Sequence, residues 1–131
     1  MSRKRNVTVA AVQMKCSTHV EENIAKADAL VREAAEKGAQ IILLPELFER
    51  QYFCQERRYE YYEFAKKVNE NDAVKHFSAL AKELSVVIPV SFYEKDVNRL
   101  FNTVAVIDAD GSNLGIYRKT PVSYTHLTLP T

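Results

Sequence analysis

A chain of 131 residues is long enough for one domain with a core of its own and too short for two, and its 47% hydrophobic and 27% charged residues are those of an ordinary globular protein. Eighteen basic against seventeen acidic side chains leave a formal charge of +1, so no global field argues for a nucleic-acid or anionic-membrane partner. The absence of a membrane-length apolar stretch or signal-peptide pattern and the presence of two cysteines, Cys16 and Cys54, lead to the expectation of a cytoplasmic protein with reduced thiols. A single bridge between the two remains open.

Residues 7 to 14, small and β-branched, predict a first strand. Thr18-His19-Val20-Glu21 fits a capping box, with Thr18 and Glu21 exchanging side-chain bonds to each other's N–H. Ile24, Ala27, Leu30, Val31, Ala34 and Ala35 then share one helical face, and Gly38 suits the left-handed position past the helix end. A second strand at 40 to 44 completes a βαβ unit. Residues 55 to 67 predict a charged helix with a weak apolar stripe. A clearer helix at 72 to 84 has Val74, Phe77, Leu80, Ala81 and Leu84 on its core face and Asn71 or Asp72 as cap. Strands at 86 to 94, 102 to 108 and 114 to 118 follow, the last two joined by a turn at Asp110-Gly111-Ser112.

The segment Ile41-Ile42-Leu43-Leu44-Pro45-Glu46-Leu47-Phe48-Glu49 carries the most chemistry. Four consecutive Ile/Leu residues predict a strand buried on both faces, and Pro45, which cannot donate to a ladder, stops it. Glu46 should therefore emerge at the carboxyl end of a strand, where ligands of open α/β sheets gather. A carboxylate in that place also often caps a helix, and a lysine at a strand end, such as Lys119, is often only solvated.

Five motifs in order, Val9-Ala10-Ala11-Val12-Gln13-Met14, Leu43-Leu44-Pro45-Glu46-Leu47-Phe48, Tyr52-Phe53-Cys54, Val86-Val87-Ile88-Pro89-Val90-Ser91-Phe92 and Gly115-Ile116-Tyr117-Arg118-Lys119-Thr120, resemble the amino-terminal part of a nitrilase-superfamily carbon–nitrogen hydrolase. The resemblance implies an α/β fold, the first half of a four-layer αββα sandwich, with a mixed sheet covered by helices on one face. Apolar side chains of strands 41 to 44, 86 to 92 and 103 to 107 would then lie open on the other. It implies a Cys-Glu-Lys mechanism in which Glu46 is the base and Lys119 faces the oxyanion, the two converging at the same end of adjacent strands. Tyr52 and, more weakly, Glu49 become substrate contacts. Neither Cys16 nor Cys54 matches the family's nucleophile, which follows a later strand, so the chain alone should be inactive.

The reaction implied is hydrolysis of a linear amide or carbamoyl C–N bond, with N-carbamoylputrescine the leading substrate and a ureidopropionase-type reaction the alternative. The expected partner is a small molecule, with no nucleic acid, membrane, cofactor or metal, and the parent protein should be a homo-oligomer. His19, His76 and His126 lack metal-ligand spacing. A nucleotide-binding module is disfavoured because Gly38, Gly111 and Gly115 form no phosphate loop, while a non-catalytic binding module stays open. Residues 1 to 120 are expected to form an incomplete hydrolase domain. Residues 121 to 131, which lack both core periodicity and the family's continuation, read as a non-native tail, with a short natural variant as the alternative.

Overall fold

The computed structural model describes residues 5–49, 71–96 and 99–119. Strand β1 (Val9–Ala11) leads through helix α1 (Val20–Glu36) to β2 (Ile41–Leu43), which lies parallel to β1 with Ile42 opposite Ala10. Helix α2 (Asp72–Leu84) precedes an antiparallel meander of β3 (Ile88–Asp96), β4 (Arg99–Ile107) and β5 (Asn113–Arg118). A parallel bridge between Ile41 and Val87 joins the two ladders, with Ile42 N–H donating to Val87 O and Val87 N–H to Gln40 O, each at 2.9 Å. The result is the expected mixed sheet, ordered β1-β2-β3-β4-β5.

Strand alternation decides where the core sits. Ile42, Ile88, Val90, Phe92, Ala105 and Ile107 are fully buried on one face, in a cluster with Ala27 and Val31 of α1 and Phe77, Leu80 and Ala81 of α2. Both helices therefore cover the same face, as the resemblance implies. Burying each of the large side chains there contributes about 1.5–3 kcal/mol. On the opposite face Leu43 is 52% exposed, so residues 41 to 44 are buried on one side rather than two. Among the described residues no helix packs over that side. The exposure expected along 86 to 92 and 103 to 107 is found only in part: Pro89, Val104 and Val106 are half-buried, while Val9, Leu43 and Tyr117 are among the exposed apolar groups of that face in the described residues.

The helix ends show which local signals decided the fold. At the start of α1 the Thr18–Glu21 capping box is not formed: His19 occupies the cap without a side-chain bond. Buried Asn23 reorganises the entry instead, accepting from Ser17 N–H at 2.7 Å and donating to Ser17 O at 2.8 Å, while Ser17 Oγ accepts from His19 N–H. At the other end Gly38, at φ 95°, donates to Ala35 O, and Ala39 N–H reaches Ala34 O, both at 3.0 Å. This pair of bonds is the Schellman arrangement that glycine favours. Helix α2 has the predicted bounds and is capped by Asn71, whose side chain accepts from Val74 N–H at 2.9 Å. The first strand is shorter than 7 to 14 because β2 offers it only three partners before turning away, with one further bond from Val12 N–H to Leu43 O. The expected helix at 55 to 67, Tyr52, Cys54 and the tail at 121 to 131 lie outside the described residues.

Candidate active site

The site begins where β2 ends. Leu44 still points into the core, Pro45 has no N–H to extend the ladder, and the chain turns over Glu46 to Glu49. Leu47 takes a left-handed conformation, φ 51°, which an L side chain adopts at a cost of roughly 1 kcal/mol. Two anchors hold it there. Leu47 N–H donates to the buried Ser91 Oγ of β3 at 3.0 Å, and Phe48 drops into the core edge-on to Phe77, with ring centroids 5.5 Å apart. The strained turn is thus laid over β3, and Glu46 remains outside the core.

Lys119, immediately after β5, meets Glu46 there: its Nζ lies 2.7 Å from Glu46 Oε1. Asn102 of β4 donates from Nδ2 to the same oxygen, and its backbone O accepts Lys119 N–H at 2.8 Å. The expected convergence of Glu46 and Lys119 is present, but not on adjacent strands: β3 and β4 separate β2 from β5, and the turn after Pro45 spans that gap. Chemically, the arrangement offers a carboxylate able to take a proton beside an ammonium able to face a developing negative charge.

On the other face, next to Lys119 in sequence, Arg118 forms a different pair. Its Nε and Nη2 reach the two oxygens of Glu94 at 3.0 Å each, and Thr103 Oγ1 donates to Glu94 Oε1 at 2.7 Å. The guanidinium also lies 4.2 Å from the Phe101 ring centroid. Arg118, with help from Thr103, holds the Glu94 carboxyl below the usual carboxylate range despite burial.

Glu49, one of the expected substrate contacts, is half-buried. Its carboxylate accepts from Asn71 Nδ2 at 2.9 Å and its backbone O from Asn23 Nδ2 at 2.7 Å. These bonds tie it to the start of α2 and to α1. Cys16 is half-buried against the core, and burial pushes its thiol up, with the Lys26 charge opposing only in part. That environment suppresses a thiolate. Among the described residues no group of three or more His, Cys, Asp or Glu could hold a metal ion, and no helix is long and apolar enough to cross a membrane. A cavity of about 350 Å³ between β1 and α1, lined in part by Thr8, Leu30, Glu33 and Lys37, includes none of Glu46, Asn102 or Lys119.

Asn102, Ser91 and Asn23 take part in this arrangement without being among the candidates that the sequence suggests. Asn102 alone carries a signal, an amide between Phe101 and the strand-forming run Thr103-Val104-Ala105-Val106-Ile107, where asparagine is otherwise disfavoured.

The fold and site together define an α/β protein whose sheet is packed by helices on one face and carries a carboxylate–ammonium pair reached from the other. The chain belongs to the carbon-nitrogen hydrolase family, whose sequence pattern matches residues 8–128. It is 52% identical over 116 residues to an N-carbamoylputrescine amidase of Oryza sativa subsp. japonica, covering 88% of this chain and 38% of that protein. It is 43% identical to a citrullinase of Francisella tularensis, covering 87% of this chain and 40% of the other. The crystal structure of a carbon-nitrogen hydrolase from Helicobacter pylori G27 superimposes with a TM-score of 0.79 at 26% identity, covering 87% of this chain and 39% of that one. The chain thus spans about 40% of the length of the curated relatives it matches.

Proposed function

We propose that the protein containing this chain is an amidohydrolase that cleaves a terminal carbamoyl C–N bond, with N-carbamoylputrescine as substrate and putrescine, ammonia and carbon dioxide as products. The observation that carries the reading is the meeting of Glu46 and Lys119, brought from segments 73 residues apart to 2.7 Å. The similarity to N-carbamoylputrescine amidases supports the substrate.

In this reading a cysteine thiol gives its proton to Glu46 and attacks the carbamoyl carbon. Lys119 faces the oxygen on which negative charge appears. The tetrahedral intermediate collapses as ammonia leaves with the proton from Glu46, and a thioester-like carbamoyl enzyme remains. Water then gives a proton to Glu46 and attacks the same carbon; the C–S bond breaks, the thiol is restored, and the released carbamate loses carbon dioxide to give putrescine. The nucleophile is neither Cys16, whose setting disfavours the thiolate, nor Cys54, so the 131-residue chain alone does not turn over. No cofactor or metal is needed. Tyr52 and Glu49 are the candidates in this chain for the distal ammonium; the bond from Asn71 to Glu49 makes Tyr52 the stronger of the two. The reading includes a cytoplasmic location, as expected from the sequence, and a homo-oligomer, for which the family resemblance is the support.

The test is ammonia release by the full-length protein from N-carbamoylputrescine, N-carbamoyl-β-alanine and citrulline, compared as kcat/KM. The cationic linear substrate is expected to lead. A preference for the anion would replace this reading with a ureidopropionase-type reaction, and a preference for citrulline with a citrullinase.

A further inference from the structure

Two donors converge on one oxygen of Glu46. Lys119 Nζ reaches Oε1 at 2.7 Å, Asn102 Nδ2 donates to that same Oε1, and neither bond uses Oε2. Asn102 also accepts the backbone N–H of Lys119 at 2.8 Å, so a single residue of β4 fixes the base through its side chain and the end of β5 through its main chain. The strand itself does not call for an amide here. Asn102 is half-buried on the face of Val104 and Val106, where a β-branched side chain would suit the pleat better. A carboxylate gripped at one oxygen by two donors loses its freedom to rotate, and its second oxygen acquires a fixed place.

We propose that Asn102 is the positioning residue of the base: by holding Glu46 Oε1 beside Lys119 it leaves Oε2 as the oxygen that receives the proton. This assignment rests on the amidohydrolase reading for its chemistry and on Asn102 itself for its geometry. The main-chain bond from Lys119 N–H is accepted by the carbonyl of residue 102, which a change of side chain leaves in place, so variants isolate the side chain.

The experiment uses the full-length protein with Asn102→Leu and Asn102→Asp. Asn102→Leu, similar in shape but without the donor, is expected to lose roughly 10- to 100-fold in kcat, the scale of a misplaced reacting group, with KM and the unfolding midpoint little changed. Asn102→Asp places a second carboxylate against Glu46. It should be weakest at alkaline pH and recover as the pH falls, because a protonated Asp can donate as the amide does. A packing role would lower the unfolding midpoint of Asn102→Leu and leave its kcat at the wild-type value. A folded Asn102→Leu protein with wild-type kcat, or an Asn102→Asp profile that superimposes on the wild type, would overturn the assignment.

If the wild-type protein hydrolyses none of the carbamoyl substrates, the amidohydrolase reading fails by itself. Asn102 is then judged in the 131-residue chain by its side-chain amide protons in nuclear magnetic resonance spectra. Their upfield shift and faster solvent exchange on Glu46→Ala would support the positioning contact, and unchanged signals would remove it.

Discussion

Arg118 and Lys119 are neighbours in sequence, each pairs with a glutamate, and strand alternation sends them to opposite faces of one sheet. The Arg118 pair is built into the fold: Glu94 has a side chain only 4% exposed, gripped at both oxygens and by Thr103, with Arg118 at 37%. The Lys119 pair lies open, with side chains 44% and 40% exposed, on a turn whose strain is held by Ser91 and Phe48. The residue types fit this division. A planar guanidinium matches a carboxylate as a rigid fork, whereas an ammonium is a compact charge that can swing between a carboxylate and a substrate oxygen. One pair is spent on structure, and the other remains available for chemistry.

The largest effect should come from breaking the open pair. Glu46→Gln in the full-length protein removes the proposed base and is expected to lower kcat by roughly 100- to 10,000-fold. The unfolding midpoint should hardly move, since exposed ion pairs contribute only about 0–1 kcal/mol. Steady-state kinetics and a thermal melt on one preparation check both halves.

Breaking the buried pair should do the reverse. Glu94→Gln is expected to cost about 1–2 kcal/mol, a bond to a charged group discounted for the partial exposure of Arg118. Its pH dependence has a definite sign. Because the folded carboxyl is held below its ordinary range, its stabilisation is present above the unfolded pKa and disappears as pH falls through the folded one. Chemical denaturation across the acid range should therefore show a steeper loss for the wild type than for Glu94→Gln.

Smaller still is Gly111→Ala, placed away from both pairs. Gly111 has φ 86°, and an added Cβ would stand 2.9 Å from Ser78 O and 3.2 Å from Lys82 Cβ. A loss of about 1 kcal/mol is expected from the backbone alone, with kcat unaltered below the melting range. This variant separates loss of stability from loss of chemistry.

What could be read from the sequence follows from how local each signal is. The extent of α2, its Asn71 cap, the Gly38 helix end and the Gly111 turn are fixed by residues within a few positions of one another. The position of Glu46 after Leu44-Pro45 is local in the same sense, and the family pattern supplied Lys119. Thr18 was expected to cap α1 because its spacing to Glu21 fits. Asn23 prevailed because it satisfies both Ser17 and Glu49, the latter 26 residues away. Asn102 contacts Glu46 across 56 residues and Ser91 contacts Leu47 across 44. No periodicity encodes such meetings. Only the folded sheet, with the turn after Pro45 carried over β3, brings them together.

The most direct test of the division between the two pairs is a reciprocal exchange in the full-length protein, Arg118→Lys against Lys119→Arg, with melting temperature and kcat measured side by side. Arg118→Lys should lower Tm by a few degrees and leave kcat within about twofold, because it loses the fork but not the charge. Lys119→Arg should leave Tm in place and lower kcat by at least roughly tenfold, because the larger, planar group misplaces the charge proposed to face the oxyanion. Wild-type kcat in Lys119→Arg, or loss of activity in Arg118→Lys at temperatures where it remains folded, would contradict the account.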